Sequence, residues 1–298
     1  MRLIERLGYG FAKVLGRAPR AWTEPIAWTL AAPLFVAYRR DVALANLTRA
    51  FPDWSPARRR GVAFASYRQM TRTLLEFLQM DRYGDDEIAE RVEAGNLESL
   101  DRAMGDGRGV VVLTGHLGNW EWIPRRVAAA GHRPAVVYME LHNPALSARM
   151  KTLRGSRATL IAADEIRAAL RWLRGGGLLG ILMDQEPFPE DAVVAPFFGG
   201  PVLTHAGPLR LARLSGAAVF TVFARRVGPR RYRIRFDPFP LSESTEPERA
   251  LAEDAAEYNA RLEAAIRAAP EQWLWTHRRW KRSGRLGVAK AAGSRGPG

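Results

Sequence analysis

The sequence predicts an α/β fold: a three-layer sheet with flanking helices, preceded by a helical segment that associates with a membrane. Short, valine-rich apolar runs alternate with amphipathic helical patterns over residues 109–224. Such runs are typical of strands buried on both faces of a parallel sheet. Their alternation with helices favours right-handed crossovers that place helices on both faces. The first forty residues differ, because they combine basic residues with apolar and aromatic ones.

Each element is predicted from a local pattern. Apolar runs predict strands at 109–114, 134–139, 158–162, 178–184 and 217–224, and alternation predicts an edge or antiparallel strand at 231–236. Helical periodicity predicts helices at 119–130, 144–154, 164–174, 206–215 and 246–268. Residues 41–80 are predicted to be helical, with Ser55 as an N-cap and Pro56 at the first helical position. Residues 85–106 are predicted to form further short helices.

The N-terminal segment is predicted to anchor the protein at a membrane surface. Apolar residues recur there at helical spacing and basic residues fall largely elsewhere, which is typical of an interfacial helix. The apolar run 26–38 is shorter than the about 20 residues that span a bilayer, and Pro33 interrupts it. Trp22 and Trp28 suit the headgroup level. The long basic start and the arginine pair after the run argue against a cleaved signal peptide. A pair of ordinary core helices is the alternative.

Composition limits the chemistry of the chain. We divide it into an N-terminal anchor (1–40), a main α/β domain (41–282) and a basic tail expected to be disordered (283–298). Without cysteine there is no disulfide, no thiolate nucleophile and no cysteine-based metal site. The net charge of +14 favours an anionic partner such as lipid or an acidic protein, with arginine-rich codon usage as the alternative explanation. No nucleic-acid-binding motif is visible in the sequence, so nucleic acid is not predicted as a partner.

Polar residues follow two of the predicted strands. The stretch GHLGNWE (115–121) comes directly after one strand, and Asp184 and Gln185 stand at the end of another. In parallel sheets, ligands bind beyond the carboxyl ends of the strands. We therefore expect His116, Asp184 and Gln185 to lie at one edge of the sheet.

His116 and Glu121 are the candidate catalytic pair. On one helix they would point about 140° apart, so we place His116 on a loop and Glu121 on the first helical turn. Asn119 is then a natural N-cap, and Pro124 is tolerated because the helix begins near Glu121. A carboxylate beside an imidazole fixes its tautomer, so His116 can act as a general base on a substrate hydroxyl. A histidine packed at a strand end, with a surface glutamate, is the alternative.

Four further sequence blocks accompany this stretch: RRDVALANLTRAFPDWS (39–55), MDQEPF (183–188), PFFGGPVLTHAGPLRLA (196–212) and PEQWLWTHRRWK (270–281). Together with HLGNWE they resemble the bacterial lipid A late acyltransferase family, the lauroyl and myristoyl acyltransferases. The resemblance covers about residues 1–282. The His-x4-acid motif of that family matches His116 and Glu121.

The resemblance implies a glycerophosphate-acyltransferase-like fold and transfer of a fatty acyl chain from acyl carrier protein to a hydroxyl of a Kdo–lipid A precursor. It also implies a peripheral or monotopic position at the cytoplasmic face of the inner membrane, with no metal or organic cofactor. The expected partners are acyl carrier protein, the glycolipid acceptor and the membrane surface; no oligomeric state is predicted. Two alternatives stay open: acyl transfer to another glycolipid such as phosphatidylinositol mannoside, and a non-catalytic basic lipid-binding protein of the same fold.

The resemblance also suggests roles for individual residues. His116 is expected to deprotonate the acceptor hydroxyl, with Glu121 orienting its ring. Arg154, with Arg157 as the alternative, is expected to stabilise the thioester oxyanion or to clamp a phosphate. The other residues expected at the substrate are Asn119, Asp184 and Gln185. For the last two, a purely structural role is the alternative.

Two aromatic blocks complete the predicted site. An acyl groove is expected at Phe197, Phe198 and Gly199, with core packing as the alternative. The residues expected to contact the membrane or a lipid phosphate are Trp273, Trp275, Arg278 and Arg279. Packing of the tryptophans against the sheet is the alternative there. His205 is expected to form a local hydrogen bond.

Overall fold

The computed structural model describes residues 10, 13–140 and 144–283. Its helices are 13–17 (α1), Thr23–Ala37 (α2), Arg40–Ala50 (α3), Pro56–Leu78 (α4), Asp85–Arg91 (α5), Leu97–Gly105 (α6), Trp122–Ala129 (α7), Pro144–Gly155 (α8), Ile166–Arg174 (α9), Gly207–Ser215 (α10) and Pro247–Ala268 (α11). Its strands are Val92–Gly95 (β1), Val110–Thr114 (β2), Pro134–Tyr138 (β3), Thr159–Ala162 (β4), Leu178–Leu182 (β5), Ala192–Phe197 (β6), Gly200–His205 (β7), Ala218–Thr221 (β8), Arg225–Gly228 (β9), Arg231–Arg235 (β10) and Asp237–Pro238 (β11).

The largest sheet has the strand order β11-β8-β2-β5-β3-β4. The strands from β8 to β4 in that order run parallel, and β11 joins β8 antiparallel. β2 lies inside the sheet with all of its residues buried, as its continuous apolar sequence predicts. Thr114 is level with Leu182 of β5. The residues that follow β2 and β5 therefore emerge side by side at one edge of the sheet.

Helices cover both faces of this sheet. Successive side chains of a strand point to opposite faces, and β2 shows the consequence. Val111 and Leu113 join an apolar cluster that includes residues of α9, α10 and α11. Val110 and Val112 join a second cluster that includes residues of α5, α6, α7 and α8. The predicted α/β class with flanking helices is confirmed.

The structure contains every predicted strand, with shifted ends, but distributes them over more than one sheet. β10 pairs with β1 and β9 in a separate sheet, and β6 pairs with β7 as a hairpin. The sequence predicted only helices over 85–106, where β1 lies. β1 has four residues and a single fully buried side chain, so its strand conformation depends on its distant partner β10. Ser55 caps α4 as predicted, accepting the backbone N–H of Arg58.

The β6–β7 hairpin was not predicted, although its turn has a recognisable signature. It turns at Phe198 and Gly199, whose φ angles are 48° and 73°. Two-residue hairpin turns with positive φ match the right-handed twist of paired strands. Glycine enters this conformation freely, whereas phenylalanine is held in it by its packed surroundings.

The N-terminal helix α2 has two different faces. Ala27 and Ala31 are fully buried, and α2 packs against α4. Trp22, just before α2, and Trp28 and Val36 within it are 59, 51 and 70% exposed. The proline at position 33, expected to interrupt this segment, lies inside α2 without ending it. Among the described helices, none has the length and apolar character needed to cross a bilayer.

Part of each predicted terminal segment lies outside the described residues. For the predicted interfacial helix these are residues 1–9, 11 and 12, and for the predicted disordered tail they are residues 284–298. Ser283, assigned to the tail, is instead fully buried, and its hydroxyl donates to Glu186 at 2.6 Å. The folded domain therefore extends one residue beyond the predicted boundary.

Candidate active site

The loop after β2 is held by the C-terminal segment 272–277. The Leu274 N–H donates to the His116 carbonyl at 3.1 Å, and the Gly118 N–H donates to a carbonyl of the same segment at 2.8 Å. Gly118 has a φ of 62°, and a Cβ atom there would lie 1.7 Å from the carbonyl oxygen of Ala224. Only glycine fits this position, so the close approach of the loop to the Ala224 carbonyl fixes the course of the loop.

Asp184 binds His116 at two points. His116 Nδ1 lies 2.7 Å from Asp184 Oδ1, and the His116 backbone N–H donates to Oδ2 at 2.8 Å. The indole N–H of Trp273 donates to the same Oδ2 at 2.9 Å. The Asp184 side chain is 2% exposed, and that of His116 is 15% exposed. The carboxylate and the ring are therefore held as one unit at the carboxyl edge of the sheet.

The charge on Asp184 sets the tautomer of His116. Burial raises the pKa of Asp184, but the His116 ring and the hydrogen bonds from His116 and Trp273 outweigh burial and lower this pKa to about 2. An ionised carboxylate only accepts hydrogen bonds, so Nδ1 of His116 carries the hydrogen. The lone pair of the neutral ring is then on Nε2, which is the arrangement of a general base.

Glu121 does not take the predicted place beside the His116 ring. The structure pairs it with Arg154, whose Nε donates to Oε2 at 3.0 Å and whose Nη2 donates to Oε1. Trp120 also donates its indole N–H to Glu121 at 3.2 Å, and its ring meets the His116 ring edge-on at 4.6 Å between centroids. The prediction that Glu121 orients His116 directly is wrong, because α7 begins at Trp122 and directs Glu121 toward α8. Asp184 is the carboxylate at the ring.

A buried polar network braces the loop from α4, and sequence reasoning missed it. Glu76 accepts the side-chain N–H of Asn119 at 2.8 Å and the indole N–H of Trp122 at 3.2 Å. Thr73 donates its hydroxyl to the Gly118 carbonyl at 2.8 Å. Asn119 is not the N-cap of α7, which is Glu121, although its Oδ1 accepts the Glu121 N–H at 3.3 Å. The sequence signal that could have revealed this network is Glu76, a glutamate on the apolar side of the helix predicted within residues 41–80.

Comparison with known proteins places the chain in a family. A family model described as bacterial lipid A biosynthesis acyltransferase matches residues 2–282, nearly the whole chain. The chain belongs to this acyltransferase family. Its members transfer acyl groups, so the protein is an enzyme of that class.

Individual relatives agree with the family. The chain is 29% identical over 252 residues to the lipid A biosynthesis palmitoleoyltransferase of Escherichia coli strain K12, which covers 83% of this chain and 80% of the relative. It is 26% identical over 252 residues to the lipid A biosynthesis lauroyltransferase of the same strain, with the same coverage. With the myristoyltransferase of that strain it shares 24% over 239 residues, or 79% of this chain and 73% of the relative.

The two arginines predicted to stabilise an oxyanion are engaged elsewhere in this acyltransferase. Arg154 pairs with Glu121, and Arg157 Nη1 lies 2.7 Å from Asp85. Burial by itself lowers the pKa of Arg154, but the Glu121 carboxylate outweighs burial, so the pKa is raised. In this structure both guanidinium groups therefore stabilise the local fold through ion pairs.

The predicted acyl-groove residues of the acyltransferase lie in its core. Phe197 and Phe198 are buried, and the Phe197 ring stacks on Trp280 at 5.6 Å between centroids. Phe198 and Gly199 form the hairpin turn between β6 and β7. Phe197 and Phe198 therefore pack in the core, as the alternative interpretation of this block predicted. Gln185 lies half-buried next to Asp184.

Three of the four residues predicted to contact lipid are buried in the acyltransferase. Trp273, Trp275 and Arg279 lie in the interior, and only Arg278 is exposed. The prediction of a membrane contact is wrong for the buried three, and the alternative of packing against the sheet holds for the tryptophans. Arg279 donates to the Leu203 carbonyl and, at 3.2 Å, to a threonine hydroxyl, and burial lowers its pKa to about 10.

Within the described residues, no group of three or more histidine, aspartate or glutamate side chains is arranged to hold a metal ion.

Proposed function

We propose that this acyltransferase moves a fatty acyl chain from the thioester of an acyl carrier protein to a hydroxyl of a lipid A precursor. His116 is the general base and Asp184 is its orienting carboxylate. The observation that carries this assignment is the two-point contact of Asp184 with His116, at 2.7 and 2.8 Å. The names of the relatives, which are lipid A palmitoleoyl-, lauroyl- and myristoyltransferases, support lipid A as the acceptor.

In the proposed reaction, His116 Nε2 takes the proton of the acceptor hydroxyl while the hydroxyl oxygen bonds to the thioester carbonyl carbon. The carbonyl electron pair moves onto its oxygen, which becomes an oxyanion. When the carbonyl reforms, the carbon–sulfur bond breaks and the departing sulfur takes the proton from His116. The products are a lipid ester and a free carrier thiol. Asp184 stabilises the imidazolium that exists between the two proton transfers.

The charge of the chain supports the choice of substrates. Acyl carrier proteins are acidic and lipid A precursors carry phosphate, and both are attracted to a protein with a net charge of +14. The nucleophile belongs to the lipid, so the protein needs neither a serine nor a cysteine for a covalent intermediate. The proposed steps need no metal or organic cofactor, because His116 carries both proton transfers and Asp184 stabilises its charged form.

We place the enzyme on the cytoplasmic face of the inner membrane, attached through the exposed face of α2. Trp22, Trp28 and Val36 present apolar and aromatic surface there, which suits the headgroup boundary. Deleting the helix would expose the core under Ala27, so surface substitutions test the proposal better. Replacing all three residues by serine is expected to release the protein from anionic vesicles in flotation. The matched control is Leu214→Ser, at a site 63% exposed on α10. Unchanged binding by the triple variant would overturn this placement.

The experiment that tests the function is mass spectrometry of glycolipids from the native host. Deleting the gene is expected to remove one acyl chain from lipid A. The wild-type gene should restore that chain and His116→Ala should not. His132→Ala is the matched control, because the His132 ring pairs with Asp101 at 2.7 Å elsewhere on the protein. If deletion instead removes an acyl chain from phosphatidylinositol mannoside, that glycolipid is the acceptor in place of lipid A. Unchanged glycolipids in every strain would overturn acyl transfer in favour of lipid binding.

A further inference from the structure

A second histidine, His277, lies close to the His116 site on a backbone that is fixed from two sides. Leu274, three residues before it, donates its N–H to the His116 carbonyl at 3.1 Å. The buried amide of Asn46 on α3 donates to the carbonyl of Trp275 at 2.8 Å and to that of His277 at 2.7 Å. The position of His277 is therefore tied to the position of His116.

The ring of His277 is oriented by a backbone donor. The N–H of Glu186, two residues after Asp184, donates to His277 Nε2 at 3.1 Å. A nitrogen that accepts a hydrogen bond carries no hydrogen, so the neutral ring has its hydrogen on Nδ1. Glu186 is itself held, because it accepts the backbone N–H groups of Arg282 and Ser283 at 2.9 Å.

The ring is neutral at physiological pH. Burial lowers the pKa of His277 to about 4, helped by the positive charge of Arg279 and by the His116 ring. The carboxylates of Asp184 and Glu186 act in the opposite direction but do not overcome burial. A neutral ring keeps one hydrogen-bond donor and leaves His116 free to become the cation of the site.

The Nδ1–H group of His277 is an available donor. Among the described residues it has no hydrogen-bond partner, and the ring is half-buried. Polar groups in such positions are normally hydrogen-bonded to protein, water or ligand. The acyl-transfer reaction needs such a donor where negative charge develops, and Arg154 and Arg157 are both paired with carboxylates.

We infer that His277 donates its Nδ1–H to the oxyanion that forms on the carbonyl oxygen of the acyl thioester. The inference rests on the proposed acyl-transfer function. When the acceptor oxygen bonds to the carbonyl carbon, the electron pair that moves to the carbonyl oxygen is stabilised by this hydrogen bond. The bond weakens when the carbonyl reforms and the sulfur leaves. His277 stays neutral throughout, and the proton is carried by His116 alone.

Asn46 is the positioning residue for this donor. Its side-chain amide holds two carbonyls of the segment that ends in His277, at 2.8 and 2.7 Å. A donor that is already in place stabilises a transition state without reorganising during the reaction. This assigns a role to the block 39–55, whose position in the sequence is far from both histidines.

The test compares purified His277→Ala, His277→Gln and the control His132→Ala, with an acyl carrier thioester and a lipid A precursor as substrates. His277→Ala is expected to lower kcat on the order of 10²–10³-fold, as removal of one oxyanion donor does, with KM nearly unchanged. Glutamine keeps both an N–H donor and an acceptor for the Glu186 N–H, so His277→Gln should recover part of the rate. His132→Ala should match wild type.

Binding of a phosphonate analogue of the acyl donor separates this role from a structural one. The tetrahedral phosphonate oxygen imitates the oxyanion, so its affinity should fall with kcat/KM in His277→Ala, while affinity for the intact thioester stays unchanged. Wild-type kcat in a folded His277→Ala protein, or equal losses for phosphonate and thioester, would overturn the inference. Loss of activity in His116→Ala with full activity in His277→Ala would reject only the donor role and leave the proposed function standing.

Discussion

The two ends of the stretch 115–121 face different parts of the molecule. At one end, His116 meets Asp184, which follows β5 in the central sheet. At the other end, Glu121 meets Arg154 at the end of α8. The first contact is made at the edge of the sheet where two parallel strands end side by side. The second is made between the starting point of one helix and the last turn of another.

The two carboxylates differ in what they hold. Asp184 accepts hydrogen bonds from the ring and backbone of His116 and from Trp273, so its charge acts on the base directly. Glu121 is linked to the His116 ring through Trp120, whose indole N–H it accepts at 3.2 Å. The comparison teaches that the carboxylate nearest to His116 in sequence is not the one that sets the tautomer of its ring. Substitution of each carboxylate tests this difference.

The largest effect is expected from Asp184→Asn. An asparagine amide placed against Nδ1 forces that nitrogen to accept, so the hydrogen moves to Nε2 and the base is lost. We expect kcat to fall on the order of 10³–10⁴-fold with little change in KM, because the shape of the side chain is kept. Steady-state kinetics with the acyl carrier thioester measure this loss. A decrease of less than about tenfold contradicts the role of Asp184.

A smaller loss of rate is expected from Glu121→Gln. It leaves the Arg154 guanidinium, 20% exposed, without its carboxylate. Breaking such a partly buried pair should cost about 2 kcal/mol of folding stability, measured by urea denaturation. Through Trp120, kcat should fall on the order of tenfold. If Glu121→Gln instead lowers kcat as much as Asp184→Asn, then Glu121 is the functional partner of His116 and the sequence-based pairing is restored.

The effect expected to develop most gradually is in the pH dependence of stability at the sheet edge. The pKa of His277 is lowered to about 4 in the folded protein, whereas an unfolded histidine titrates near 6.5. The unfolded chain therefore takes up a proton first, and stability should fall as pH drops from about 6.5 to 4. Urea denaturation across this range measures the slope, which should be flatter in His277→Gln. An equal slope in that variant argues against a neutral, buried His277.

Asp184 extends the same titration to lower pH. Its folded pKa of about 2 lies below the value of an unfolded aspartate, about 3.9. The stability that it contributes is present above pH 4 and is lost as pH falls toward 2, in total about 3 kcal/mol. Asp184→Asn should remove this second decrease. The two windows meet near pH 4, and each group is assigned by the variant that removes its own decrease.

Much of the site was within reach of the sequence. His116 and Asp184 were expected at one edge of the sheet because each directly follows a continuous apolar run. The start of α7 near Glu121, which keeps Pro124 in the first turn, followed from the same local patterns. The partner of each side chain was out of reach, because His116 and Asp184 are 68 positions apart. Nothing local distinguishes Asp184 from Glu121 as the carboxylate at the ring.

The sequence by itself determined the α/β class, the places of the central strands and the position of His116 at a strand end, since apolar periodicity and turn residues act over short distances. Only the tertiary structure decided that Asp184 orients His116, that Arg154 and Arg157 are already paired, and that the tryptophans of 270–281 pack inside. Those outcomes depend on which strands lie side by side. The level alignment of Thr114 with Leu182 brings Asp184 to His116, and Glu186, two residues after Asp184, holds the ring of His277 nearby.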